Sequence, residues 1–83
     1  MIKEITVTKA NGLKAEDCAV IAQTASTFLS DIFTVKNDAA RSKINAKSIV
    51  GILSLNIKGG EVVYLSVSGT DEEFALNKLT SLF

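Results

Sequence analysis

The apolar residues of this chain change their spacing several times, and the order of the changes leaves few folds open. Ile5 and Val7 alternate with polar neighbours, the period of a strand with one buried face, and Asn11-Gly12 then breaks the pattern as a turn. Cys18, Ile21, Ala22, Ala25, Phe28 and Leu29 follow at helical period, with Glu16 and Asp17 in the first turn where acids meet the positive end of the helix, so a helix is expected from about 15 to 29. Strand spacing returns at Ile32–Lys36. Asn37-Asp38 reads as a turn and Arg41–Ile44 as a third strand completing a hairpin. Ser48 suits the cap of a short helix carrying Ile49, Val50, Ile52 and Leu53, more apolar residues than one face can bury. Lys58-Gly59-Gly60 turns the chain into Glu61–Val67, the clearest strand. Thr70 and Glu73 have capping-box spacing ahead of a last helical stripe, Ala75, Leu76, Leu79, Leu82 and Phe83.

The resulting order is βαββαβα, an α+β arrangement. Each element offers one apolar face, so a four-stranded antiparallel sheet with three helices on one face is the natural packing. With 83 residues, one domain spanning 1–83 is expected, since a chain this short has no interior for two cores.

Composition narrows the function classes. Nine basic and nine acidic residues cancel, which argues against a nucleic-acid or anionic-membrane partner drawn by net charge. The start, Met1-Ile2-Lys3-Glu4-Ile5-Thr6, lacks the continuous apolar stretch of a signal peptide or membrane span, so a cytoplasmic protein is the expectation. With one cysteine and no histidine, neither an internal disulfide nor a zinc site of the usual ligands can be assembled, and no cofactor is implied. Cys18 and the serines have no histidine base, which argues against an enzyme. Cys18 itself is expected to be buried and inert, given its place on the apolar stripe and the two carboxylates before it.

Three stretches carry a resemblance: Gln23-Thr24-Ala25-Ser26, Asn45-Ala46-Lys47-Ser48-Ile49-Val50-Gly51-Ile52, and Val67-Ser68-Gly69-Thr70-Asp71-Glu72. They are similar to the histidine-containing phosphocarrier (HPr) family of the bacterial sugar phosphotransferase system. That resemblance implies the HPr-like open-faced β-sandwich and supplies a strand order that periodicity alone does not. In the family, a segment reading roughly Gly-Ile-His-Ala-Arg-Pro-Ala accepts phosphate from enzyme I on its histidine. Here Gly12-Leu13-Lys14-Ala15-Glu16-Asp17-Cys18 stands in its place, so the histidine falls on Lys14, the arginine on Glu16 and the proline on Asp17.

These replacements oppose phosphate chemistry. A protonated lysine has no lone pair for a phosphoryl donor. At roughly 7 Å and an effective dielectric near 20, each carboxylate would repel each unit of phosphate charge by about 2 kcal/mol. The plainer reading makes Lys14 a surface lysine and Glu16 and Asp17 ordinary first-turn acids.

Ser48 is the second candidate. Asn45, Lys47, Ser48, Ile49, Gly51 and Ser54 match the family pattern. In Gram-positive relatives the matching serine is phosphorylated by HPr kinase/phosphorylase, and the product binds a LacI-type catabolite control regulator. A subgroup, the catabolite-repression HPr proteins, similarly lacks the histidine and keeps the serine. The resemblance therefore implies an HPr-like regulatory or adaptor protein modified at Ser48, with Ile49, Val50, Ile52 and Leu53 contacting partners. The alternative is a constitutive docking module that is never modified, in which Ser48 only caps its helix. The hairpin around 36–41 looks about three residues longer than in relatives, and Phe74 is expected to be exposed.

Overall fold

The computed structural model describes residues 1–36 and 43–83. The elements follow the expected order: β1 (Ile2–Thr6), α1 (Ala15–Ser26), β2 (Asp31–Lys36), β3 (Ile44–Asn45), α2 (Ile49–Ser54), β4 (Val62–Ser68) and α3 (Glu72–Thr80). The four strands form one antiparallel sheet in the order β1-β4-β2-β3. The last strand thus lies between the first two, with Tyr64 opposite Glu4 on one side and opposite Val35 on the other.

Alternation decides the faces. Val63, Leu65 and Val67 of β4 are fully buried, as are Ile32 and Thr34 of β2, while the residues between them are only half-buried. The helices cover the buried face through Cys18, Ile21, Ala22 and Ala25 of α1, Ile52 of α2, and Ala75, Leu76 and Leu79 of α3. Each fully buried Ile, Leu or Val is worth roughly 1.5–3 kcal/mol, so this shared core is the main source of stability. Phe83, just beyond α3, is buried as expected, and Leu82 is half-buried against the core. Phe74 points into solvent.

The boundaries differ from the sequence reading in ways that have physical causes. α1 stops at Ser26, not 29, because the Thr27 and Phe28 N–H groups close it by donating to the Thr24 and Ala25 carbonyls, three residues back. The next two amides, Leu29 and Ser30, are then taken by the carboxylate of Asp71 at 2.9 and 3.0 Å. Leu29 therefore leaves the apolar stripe and is 83% exposed. The same carboxylate displaces the expected Thr70–Glu73 box: Asp71 occupies the N-cap position of α3, and the side chain that reaches back is Glu72, accepting from the Gly69 N–H at 3.2 Å. The third strand is Ile44–Asn45; Arg41, the Asn37-Asp38 turn and most of the longer hairpin lie outside the described residues.

Candidate functional site

α1 begins where the chain is pressed against the turn preceding β4. Leu13 N–H donates to Ile57 O at 3.0 Å and Gly60 N–H to Val7 O at 3.0 Å. Gly12 has φ +75°, and a Cβ there would collide with the Ile57 carbonyl oxygen, so only glycine fits this approach. Lys14 is the N-cap residue, but its side chain has no acceptor for the helix amides. Instead its own N–H donates to Asp17 Oδ2 at 2.9 Å, and Asp17 Oδ1 lies 3.7 Å from Lys9 Nζ. The negative charge that favours a helix start is thus built into the chain. Glu16, one residue before it, is exposed. Cys18 is 1% exposed, and burial first, then the Asp17 carboxylate, raises its thiol pKa. A thiol so placed is a poor nucleophile.

α2 begins differently. Its N-cap, Ser48, is exposed and extended, and its Oγ accepts from Gly51 N–H at 3.0 Å. The approach is made by Asn45: its O accepts from Ser48 N–H at 3.0 Å, and its Oδ1 accepts from Lys47 N–H at 2.9 Å. Lys47 Nζ donates to Phe28 O at 3.0 Å, placing a cation at the carboxyl end of α1. At the far end of α2, Lys36 Nζ donates to the Leu55 and Asn56 carbonyls, both at 3.1 Å, and pairs with Glu61 at 3.2 Å.

The two candidate sites are therefore not brought together. Lys14 opens α1, a helix of about 18 Å for twelve residues at 1.5 Å each, whereas Lys47, the neighbour of Ser48, reaches the Phe28 carbonyl just past its other end. The expected apolar surface of α2 is present with one correction. Ile49, Val50 and Leu53 are 40, 77 and 41% exposed, but Ile52 is 1% exposed and belongs to the core. Its position one turn after Ser48 points it at the sheet, so it is unavailable to a partner. Sequence reasoning also missed the roles of Asp17 and Lys47. The Asp17 bond was detectable, because an acid three residues after an N-cap has capping-box spacing.

A small antiparallel sheet with helices on one face, a glycine-led helix start and a serine-capped second helix define a small α+β protein of the open-faced sandwich class. The comparisons agree with that class. The family described as "PTS HPr component phosphorylation site" matches residues 1–83, and the chain belongs to this HPr family. It is 39% identical over 79 residues to the HPr-like protein Crh of Bacillus subtilis, covering 95% of this chain and 89% of that one. It is 39% identical over 83 residues to the phosphocarrier protein HPr of Neisseria meningitidis serogroup A, covering 99% and 90%. The crystal structure of HPr from Bacillus anthracis superposes with a TM-score of 0.89 at 38% identity, over 99% of this chain and 94% of that one. Among the described residues, no helix is long and apolar enough to cross a membrane.

Proposed function

We propose that this chain is a regulatory or adaptor member of the HPr family, a single cytoplasmic domain that is not an enzyme, does not carry phosphate from enzyme I, and is controlled by phosphorylation of Ser48. The contrast between the two helix starts carries this reading. One has no histidine, and its first free amide is already bonded to a carboxylate; the other presents an exposed hydroxyl beside exposed Ile49, Val50 and Leu53. A phosphate on Ser48 adds a charge at the edge of an apolar patch, giving a docking surface with a switchable rim. HPr kinase/phosphorylase is the expected modifying enzyme and a LacI-type catabolite control regulator the expected reader.

Intact-mass spectrometry with site mapping, after incubation with HPr kinase/phosphorylase and ATP, tests the reading. A single phosphate on Ser48, absent from Ser48→Ala, supports it; phosphate transfer from enzyme I to this chain would sink its first half. The exposure of Ile49, Val50 and Leu53 without any modification favours a second reading, a constitutive docking module. Its mark is partner binding that Ser48→Ala leaves unchanged.

A further inference from the structure

The Ser48 hydroxyl is held by more than its own helix. α2 has six residues, too few for a stable isolated helix, so its first turn needs outside support. That support comes from β3. Ile44, paired with Thr34 of β2, lies over Gly51: a Cβ on Gly51 would meet Ile44 Cγ2 at 2.7 Å, and Ser48 Oγ and Cβ at 3.2 and 3.3 Å. Gly51 also supplies the N–H that Ser48 Oγ accepts. The missing side chain thus lets an edge strand press directly on the residue that holds the hydroxyl.

Resting on the Ser48 reading, we infer that Gly51 and Ile44 are positioning residues for Ser48 phosphorylation, with β3 fixing the hydroxyl through the backbone of Gly51. In the reaction, Ser48 Oγ forms the bond to the γ-phosphorus of ATP, the bond from that phosphorus to the β,γ-bridging oxygen breaks, ADP leaves, and the hydroxyl proton passes to the kinase's base. Oγ accepts the Gly51 N–H through one lone pair, which limits the directions left for the attacking lone pair and for the departing proton. Moving Gly51 moves both. The exposed side chains a kinase would grip, Ile49, Val50 and Leu53, are untouched by this contact, so the effect belongs to turnover and not to binding.

The experiment compares wild type, Gly51→Ala, Ile44→Ala and the double variant, all at a temperature where each is folded by circular dichroism. Two quantities are read: kcat and KM for phosphorylation by HPr kinase/phosphorylase with ATP, and the hydrogen-exchange rate of the residue 51 amide. A misplacement under 1 Å predicts a kcat about tenfold lower for Gly51→Ala with KM within about twofold, smaller than the ~100-fold loss that a full 1 Å can bring. The double variant should regain most of that loss, because the alanine methyl then occupies space vacated by Ile44. Amide exchange at 51 should quicken in Gly51→Ala and slow again in the double variant. Folded Gly51→Ala with unchanged kcat overturns the proposal, as does a loss that the double variant does not recover. Should wild type take up no phosphate, the Ser48 reading fails on its own, and exchange at 51 decides the placement: unchanged exchange in Gly51→Ala overturns it too.

Discussion

The amino ends of α1 and α2 solve one problem in opposite ways. A helix start leaves free amides and a positive potential, and something negative or oxygen-rich must answer them. At α1 the answer is internal: Asp17 folds back onto the Lys14 amide and draws in Lys9. At α2 the answer is a neutral hydroxyl in full view of solvent, on a turn braced by Asn45 and Ile44. A start that already holds a carboxylate meets an incoming anion with like charge, whereas a start capped by a hydroxyl keeps a neutral group at its edge. Residue chemistry alone separates the two, since both termini belong to helices packed on the same sheet.

The contrast can be broken most severely from underneath. Ile52→Ala should cost about 2–5 kcal/mol in urea denaturation, because a fully buried side chain leaves a cavity under α2. A loss below about 1 kcal/mol would mean that α2 is not anchored through Ile52. Next come the caps themselves. Asp17→Ala and Ser48→Ala should each lower stability by about 1 kcal/mol, since each removes the partner of one helix-end amide. If either were neutral, its terminus would be satisfied by water and the distinction between the two starts would lose its basis.

Acid offers a subtler test. The Ser30 hydroxyl first, then the Leu29 amide, hold the Asp71 carboxyl below its ordinary value. Its folded pKa is lower than its unfolded pKa of about 3.9, so its stabilisation is complete above that pH and disappears as pH falls through the folded value. Asp71→Asn should therefore lower stability most at neutral pH, where the carboxylate is charged, and least below the folded value, which flattens the acid limb of a stability-against-pH curve. An unaltered acid limb would remove Asp71 from the forces closing α1. Smallest of all, Val50→Ala should change stability by no more than about 0.5 kcal/mol, because Val50 is 77% exposed, while weakening partner capture if the patch is a docking surface.

Much of the fold was legible because its signals are local. Period-two spacing in Glu61–Val67 and helical spacing in Cys18–Ala25 each reflect one buried face; the strand appears within one residue of expectation, and the helix starts as expected but ends three residues early. What escaped was set by partners distant in sequence. Leu29 looked like a continuation of the α1 stripe until Asp71, 42 residues away, took its amide. Ile52 could not be told from Ile49 and Leu53 by composition, since only the docking direction of a six-residue helix decides which side faces the sheet. At the candidate sites the legible part was the absence of histidine and the presence of a cap serine. The bracing of that serine by Ile44 through Gly51 was not, because it joins two elements across a turn.

The place of β4 between β1 and β2 has a consequence for how the protein is born. A ribosome delivers β1 and β2 long before Val62–Ser68, yet neither early strand has the other for a neighbour. Until the late strand emerges, β2 can pair only with the two-residue β3, and the strand that joins β1 to β2 over the core of Ile5, Ile21 and Ile32 is missing. Assembly is then necessarily late and concerted, with the strand made last serving as the keystone between strands made first.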